Sequence, residues 1–270
     1  GTSIKTAKAT RELSNGINIQ AADTLSKVPY CVNSRVLSVV KELWYAGHSV
    51  GHLPSSQVKL IEPYPVDGTE DEIKEWKSKA SRTHIDNAMA NGLRMYTHRQ
   101  LSLIEGFCDK PLYFLWQADS RGRLYPLATT LLNPQGHDLS KGLLKFHSSQ
   151  AKPLGEHGID QLYLAISEYA GMDKMSITDR LGWAKSMDDT WYEVATRPMD
   201  TRYYWAEADS PFMLLAACFE LQKAYQWAEK TNSDVSEYRS SLIRYHDGKC
   251  SGVQHWAALL RDEQTAKLVG

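Results

Sequence analysis

Near its carboxyl end the sequence places a carboxylate at the junction between an extended segment and a helix. Upstream of the junction, Leu242, Ile243 and Tyr245 form a short β-prone run. Asp247 follows, and Ser251 can cap the helix that comes next. Downstream, apolar residues recur at helical spacing, at Val253, Trp256, Ala257 and Leu260. We expect a catalytic metal ligand at such a junction.

Asp247 is a candidate magnesium ligand, and the adjacent Gly248 can offer its backbone carbonyl to the same ion. Magnesium prefers oxygen donors and is commonly held by one or two carboxylates together with substrate phosphates. One aspartate is therefore half of a site. An aspartate before a glycine is also typical of a capped turn, so the local sequence leaves both interpretations open. The single-copy spacing of His246, Cys250 and His255 disfavours a zinc site.

Bulk properties indicate one large domain or two modest ones. The chain has 270 residues, 42% of them hydrophobic. Its longest strictly apolar run, Phe212–Phe219, is far shorter than the roughly 20 residues that span a bilayer, so we expect no membrane segment. The four cysteines form no CxxC pair, and the first 30 residues lack the apolar core of a secretory signal. These features favour a cytosolic protein with reduced thiols.

Charge is segregated along the chain although the net charge is only −1. Residues 119–152 carry a net charge of +3, and residues 153–240 carry −7. A basic stretch beside an acidic block suits a polyanion held in a local groove. Two solvated faces would give the same pattern, and the charges alone do not separate these interpretations.

Helix signals cover much of the chain. Asn33 or Ser34 caps a predicted helix that ends at Gly47, and Thr69–Glu72 forms a capping box that opens another. We expect the second helix to be interrupted at Gly92 and a further helical stretch to run to Gly106. Residues 1–26 are expected to form a loose arm or a short polar helix. Other predicted helices lie in the acidic region 155–200 and after the start signal Asp209–Pro211, where Ser210 is the predicted cap.

Two arginines follow a predicted buried strand at Tyr113–Trp116. In an extended backbone side chains alternate, so Asp119, Arg121, Arg123 and Tyr125 would project from one face. The planar guanidinium pairs bidentately with phosphate, and Tyr125 can stack on a base or sugar. An ordinary turn with surface arginines and a half-buried tyrosine explains the same residues, and both interpretations stay open here.

Taken in order, several segments resemble the single-subunit RNA polymerases of bacteriophages and mitochondria. The resemblance extends from about residue 30 to the end of the chain. It rests on Asn33–Val39, Trp76–Ala80, Asp119–Pro126, Asn133–Gly136, Ser140–Leu144, Trp205–Phe212, Asp247–His255 and Leu260–Glu263.

The resemblance implies an α+β, mostly helical fold that forms the thumb and the first part of the palm of a right-hand polymerase and is incomplete without a partner chain. Residues 1–32 would be an N-terminal arm and residues 33–109 a helical thumb-like domain. Residues 110–270 would be the first part of the palm, with an acidic helical insertion at about 153–205.

The resemblance also implies the site. Asp247 would be one of two catalytic aspartates that hold a pair of Mg²⁺ ions, with the Gly248 carbonyl as an auxiliary ligand. The channel for the template and the RNA hybrid would be lined by Arg121, Arg123, Tyr125, Gln135 and Lys141. The reaction would be DNA-directed nucleotidyl transfer from nucleoside triphosphates, in which the two ions promote attack of a 3′-hydroxyl on an α-phosphate.

The family's fingers helix and its later His-Asp motif are absent from these 270 residues. We therefore expect a phage enzyme divided between two polypeptides, working in the cytoplasm of the infected bacterial host. The partner would carry the fingers, the remaining palm and the second aspartate of the shared ion site. Because only about thirty residues precede the thumb-like helix, we also expect an accessory protein, or single-stranded template, to direct initiation.

Two other functions compete with this interpretation. One is a non-catalytic clamp or assembly subunit that binds nucleic acid within a polymerase complex. The other is a metal-dependent nuclease that uses Asp119 and Asp247. The ordered match to the polymerase family favours the catalytic subunit over both.

Overall fold

The structure is a computed structural model that describes residues 17–108, 110–119, 122–128, 130–246 and 252–269. It is mostly helical, with small two-stranded sheets, as predicted. The helices are α1 Ile17–Ser26, α2 Ser34–Ala46, α3 Glu70–Glu105, α4 Asp138–Gly142, α5 Gly158–Tyr169, α6 Ile177–Ser186, α7 Asp188–Thr196, α8 Pro211–Thr231, α9 Gly252–Leu260 and α10 Glu263–Val269.

The strands form antiparallel pairs, two of which join distant parts of the sequence. Short 3₁₀ turns lie at Ser148–Gln150, Arg202–Tyr204 and Val235–Glu237. The strand pairs are β1 Tyr30–Val32 with β4 Leu144–Phe146, β2 Trp116–Ala118 with β3 Leu124–Pro126, and β5 Lys152–Pro153 with β6 Arg239–Ser240. Within the described residues, no helix is both long and apolar enough to cross a membrane.

Helix α2 has both of its predicted ends. The Asn33 side chain accepts a hydrogen bond from the backbone N–H of Val36, and Gly47 closes the helix with a φ of 76°. A φ in this range is easy only for glycine, which has no β-carbon. The apolar stripe of α2 is buried, as its periodicity predicts: Val36, Leu37, Val39, Val40, Leu43 and Trp44.

Helix α3 begins at the predicted capping box, but the predicted break at Gly92 is wrong. The helix is continuous over 36 residues, from Glu70 to Glu105. A glycine inside a helix costs only about 1 kcal/mol relative to alanine, which does not break a helix of this length. Buried residues are concentrated in its last third, where Thr97, Leu101 and Ile104 meet the core.

The segment 59–64, which we call the strap, supports the first half of α3. The side-chain amide of Asn87 both accepts from and donates to the backbone of Lys59, over 3.0 and 2.9 Å. The Trp76 indole donates to the Glu62 carbonyl over 2.8 Å and meets the Tyr64 ring edge-on. This half of α3 is therefore held by the strap and not by the core.

Helix α8 is the central element of the core. Nearly every side chain in its first half is buried, and it packs against α2, α4, α5 and α7. The start signal Asp209–Pro211 is confirmed, with Pro211 in the first turn, but Ser210 makes no side-chain capping bond. The capping carboxylate belongs to Asp138, which accepts from the backbone N–H groups of Phe212 and Met213, each over 2.9 Å.

The acidic region 155–200 is helical as predicted and forms α5, α6 and α7. Part of it is buried, because Trp191 and Val194 join the same hydrophobic cluster as residues of α2, α3 and α8. This cluster includes residues on both sides of position 109. The division into an arm, a thumb-like part and a palm-like part remains a prediction.

Both segments predicted as strands from apolar runs are displaced. In Tyr113–Trp116 only Phe114 is buried, whereas Tyr113 and Leu115 are 59% and 64% exposed, and the strand begins at Trp116. In the second case the strand is Arg239–Ser240, and residues 241–246 lie outside strands. An apolar run shows that a segment has side chains to bury, but strand pairing depends on a partner distant in sequence. At the amino end, a loose arm or a short polar helix is expected over residues 1–26, and the described residues 17–26 form a helix, α1.

Candidate nucleic-acid interface and metal site

A tight hairpin between β2 and β3 carries the first group of predicted contacts. Asp119 and Arg123 close the turn, because the Asp119 N–H donates to the Arg123 carbonyl over 2.8 Å. The Asp119 carboxylate folds back and accepts from the Arg123 N–H over 2.9 Å. Gly122 has a φ of 79°, so this turn requires a glycine.

The predicted one-sided extended run from Asp119 to Tyr125 is therefore wrong at its start. The chain reverses at the hairpin turn, and the Asp119 carboxylate is engaged by the turn itself. Arg123, just before β3, and Tyr125, on β3, are two residues apart and both exposed, as alternation in an extended backbone predicts. Arg121 lies outside the described residues.

Gln135 joins the same surface through a contact that its sequence position does not reveal. Its backbone N–H donates to the Asn133 side chain over 2.8 Å, in a turn of the kind that the Asn, Pro and Gly residues at 133–136 favour. Its side-chain amide then donates to the carbonyl of Leu124, which lies between Arg123 and Tyr125, over 3.1 Å. The structure thus bonds Gln135 to the backbone of β3 at Leu124, the residue between Arg123 and Tyr125.

Lys141 lies elsewhere, against the segment that leads to Asp247. It belongs to α4, and its Nζ is 4.9 Å from the centroid of the Tyr245 ring. At this distance the ammonium makes a cation–π contact. Burial raises the pKa of the Tyr245 phenol, which stays neutral at ordinary pH. Lys141 therefore contacts Tyr245, which lies two residues before Asp247 in the sequence.

The segment before Asp247 is anchored by charged groups that the sequence did not single out. The Arg244 guanidinium donates to the Gln161 carbonyl and to the Glu168 carboxylate, the latter over 3.0 Å. Glu168 is shared with Arg180, whose nearest nitrogen lies 3.6 Å away. These groups fix the segment on α5.

Glu220 of α8 provides a second anchor. One carboxylate oxygen accepts from the Ser240 hydroxyl over 2.7 Å and from the Ser241 N–H over 3.0 Å. The Tyr238 hydroxyl donates to the same oxygen over 3.2 Å. The segment that leads to the predicted metal ligand is thus anchored at two points, to α5 through Arg244 and to α8 through Ser240 and Ser241.

Asp247, Gly248 and the predicted cap Ser251 lie outside the described residues. On either side, residues 241–246 are anchored as above and α9 begins at Gly252, which agrees with the predicted helix after the junction. One carboxylate and one carbonyl form an all-oxygen donor set that suits magnesium but is only half of a site. In the described part of the chain, no group of three or more His, Cys, Asp or Glu side chains could hold a metal ion.

Comparisons with known proteins point to one family. A sequence model of the DNA-dependent RNA polymerase family matches residues 152–270. Over 93% of its length the chain is 34% identical to the DNA-directed RNA polymerase of Enterobacteria phage T3. Over the same share it is 31% identical to the mitochondrial DNA-directed RNA polymerase of Schizosaccharomyces pombe and 32% identical to mitochondrial polymerase 1 of Arabidopsis thaliana.

The chain spans about a quarter of the length of these curated relatives: 27% of the phage protein, 21% of the yeast protein and 25% of the plant protein. Nearly all of this chain therefore has a counterpart in a much longer polymerase. Together, the family model and the relatives support the placement of this chain in the single-subunit, phage-type family of DNA-directed RNA polymerases.

Proposed function

We propose that this chain is part of a DNA-directed RNA polymerase and supplies its thumb, part of its template and hybrid channel, and its first metal-binding aspartate. The observation that carries the proposal is the similarity to polymerases over 93% of the chain, together with a family match that includes position 247. The substrates would be nucleoside triphosphates and a DNA template, and the product RNA.

The surface around β3 would contact the nucleic acid. Arg123 and Tyr125 are exposed side by side, so a guanidinium can meet phosphate oxygens while a phenol ring stacks on a base or sugar. Gln135 would hold the backbone between them, since its amide donates to the Leu124 carbonyl. Arg121 is proposed as a further contact on the strength of the motif alone.

Asp247 and the Gly248 carbonyl would hold magnesium. When bound, a pair of such ions activates a 3′-hydroxyl for attack on an α-phosphate and stabilises the pyrophosphate leaving group. The role of this chain would be to hold its carboxylate rigidly, through the Arg244 contact with Glu168 and the Glu220 contacts with Ser240. Lys141 would add positive charge beside the same segment.

The second carboxylate of the ion pair would come from outside these residues. We propose that a second polypeptide, which carries the fingers and the remaining palm, supplies it. Helix α9 offers a surface for such a partner, because Val253, Trp256 and Leu260 are exposed although their spacing is that of a buried helix face.

The test is RNA synthesis by the reconstituted enzyme with Asp247→Asn. Loss of one metal-binding carboxylate should lower the rate about a thousandfold or more, equivalent to about 4 kcal/mol of transition-state stabilisation. Asp173→Asn, at an exposed carboxylate outside the site, is the matched control and should leave synthesis unchanged. A nucleic-acid clamp without a catalytic role would keep full synthesis with Asp247→Asn, and that result would refute the proposal.

A second experiment tests whether RNA synthesis requires the proposed second polypeptide and the accessory protein. The isolated chain should make no RNA, and activity should appear when the polypeptide with the fingers is added. We further propose that an accessory protein recruits the enzyme to its start sites. Efficient, sequence-specific initiation on linear duplex DNA without any added protein would contradict this part of the proposal.

A further inference from the structure

Lys141 is a cation that the fold holds against an aromatic ring and not against a carboxylate. Its Nζ lies 4.9 Å from the centroid of the Tyr245 ring. Other lysines of the chain pair with carboxylates, as Lys41 does with Glu105 over 2.6 Å, but none of the ion pairs among the described residues involves Lys141. A ring does not neutralise an ammonium group, so the charge and the N–H donors of Lys141 remain available to an anion.

The backbone on the lysine side of this contact is fixed, because α4 is attached to α8 at both of its ends. At the start of α4, the Asp138 carboxylate accepts from two backbone N–H groups of α8. At its end, a β-carbon built on Gly142 would lie 2.7 Å from the β-carbon of Phe212, so only a glycine permits this close approach. Lys141 lies between these two attachments and therefore leaves the backbone at a fixed point.

The ring on the other side of the contact is fixed as well. Arg244, the residue before it, donates to the Glu168 carboxylate of α5 over 3.0 Å. The Tyr245 ring packs against the hydrophobic core. Its hydroxyl is buried and has no hydrogen-bond partner among the described residues. Tyr245 therefore acts through the faces of its ring and not through its hydroxyl.

We propose that Tyr245 is a positioning residue that holds the Lys141 ammonium in place for a phosphate of the bound nucleic acid. The inference rests on the proposed function, in which Lys141 contacts the template or the hybrid, and it adds the residue that sets where this contact lies. A long lysine side chain loses rotamer freedom when it grips a phosphate. Contact with the ring removes part of that freedom before the nucleic acid binds, so less is lost on binding.

Lys185 shows what a purely structural contact of this kind looks like in the same chain. Its Nζ lies 6.0 Å from the centroid of the Tyr163 ring, but it also meets the Asp160 carboxylate over 2.6 Å. That carboxylate already compensates the charge, and a phosphate would have to displace it. Lys185 is therefore a matched control for Lys141, with a ring contact but without a free charge.

The first measurement is the affinity of the 270-residue chain for a labelled RNA–DNA hybrid, by fluorescence anisotropy over a series of salt concentrations. Lys141→Met keeps the apolar stem and removes the charge. It should weaken binding about tenfold at low salt and reduce the slope of log affinity against log salt by about 1. Lys185→Met should change neither quantity. Absence of saturable binding by the wild-type chain, or an unchanged slope in Lys141→Met, would overturn the inference.

The decisive comparison removes the ring in two backgrounds. Tyr245→Leu keeps an apolar side chain and should weaken binding of the hybrid about threefold to fivefold, which corresponds to one cation–π contact. In the Lys141→Met background the same substitution should leave the affinity nearly unchanged, because no ammonium remains to be positioned. Wild-type affinity in Tyr245→Leu would overturn the inference. Equal losses in the two backgrounds would also overturn it, since the ring would then act on the fold and not through Lys141.

Two further variants separate positioning from packing. Tyr245→Phe keeps the ring and removes a buried hydroxyl without a partner, so it should leave the midpoint of unfolding unchanged or raise it and should bind the hybrid as wild type does. Tyr245→Met fills more of the space and replaces Tyr245→Leu if the latter does not fold.

The positioning role and the proposed function can fail separately. Loss of RNA synthesis in Asp247→Asn together with wild-type binding in Tyr245→Leu would refute the positioning role alone. Full synthesis by Asp247→Asn together with hybrid binding that depends on the ring would refute the catalytic role and not the positioning of Lys141.

Discussion

A single buried carboxylate, Asp138, joins two elements of the core. It lies in the first turn of α4 and accepts two backbone hydrogen bonds from the start of α8, at Phe212 and Met213. These two N–H groups belong to the first turn of α8, where they would otherwise be buried without an acceptor. Asp138 thus performs the capping role that the sequence assigned to Ser210.

Replacing this carboxylate tests its role through both stability and pH. Asp138→Asn can accept only through its one carbonyl oxygen and should lower the free energy of unfolding at pH 7 by about 2 kcal/mol. Burial raises the pKa of Asp138. A raised folded-state pKa gives stability that is present at acidic pH and is lost as pH rises through that pKa.

Urea unfolding of wild type and Asp138→Asn should therefore show a larger stability difference at pH 4 than at pH 7. The exposed Asp173→Asn serves as a control whose difference from wild type stays near zero. A difference that widens as pH rises would mean that the two amide hydrogen bonds outweigh burial in setting this pKa, contrary to the prediction.

At the scale of the element, the start of α3 depends on its capping box. The Thr69 hydroxyl accepts from the Glu72 N–H, and the Glu72 carboxylate accepts from the Thr69 N–H over 2.7 Å. The Thr69 N–H and hydroxyl both donate to the Glu72 carboxylate and lower its pKa, so this contribution is present at neutral pH and is lost as pH falls through the lowered pKa. The core does not hold this end of the helix, which makes the cap more important there.

Thr69→Ala should cost about 1 kcal/mol of local helix stability. Because few core contacts oppose fraying, we expect faster amide hydrogen exchange over the first two turns of α3 and little change near Ile104. Thr83→Ala is the control, since the Thr83 hydroxyl donates to the Lys79 carbonyl within the same helix. Unchanged exchange at the first turns in Thr69→Ala would show that the strap alone fixes this end.

Helix ends could be predicted where both partners lie within a few residues. Asn33 with Val36 and Gly47 at the end of α2 are examples, because a cap and its N–H group are three residues apart. The cap of α8 could not be predicted in this way. Its carboxylate is 74 residues from Phe212, and no local pattern encodes that contact.

The candidate site likewise combines contacts that local sequence predicts with contacts that only the fold creates. The turn at Gln135 follows from its neighbours, but the bond from its amide to Leu124 depends on how the hairpin packs. The contact between Arg244 and Glu168 joins residues 76 positions apart, and it holds the backbone beside the predicted metal ligand. Sequence motifs therefore indicate candidate site residues, and only the fold shows what positions them.

At the scale of the whole molecule, apolar surface is distributed unevenly. One core unites the helices from α2 to α8, but it includes none of the described residues of α9, whose buried Ala257 lies apart from it. On α9, Val253, Trp256 and Leu260 point outward at helical spacing, and Trp256 is 64% exposed. A monomer gains nothing from a large exposed apolar row, and such rows usually mark a surface for a partner.

Trp256→Glu tests this directly, because the side chain lies outside the core and its loss should leave the midpoint of thermal unfolding within about 1 °C of wild type. If α9 meets the second polypeptide that we propose, a buried carboxylate at that interface should weaken assembly by about 3 kcal/mol, roughly a hundredfold in Kd. Sedimentation of the mixed chains measures the change. Trp256→Phe keeps an aromatic ring and should assemble nearly as well as wild type. Normal assembly by Trp256→Glu would place the partner on another surface, and RNA synthesis by that variant would then be expected at the wild-type rate.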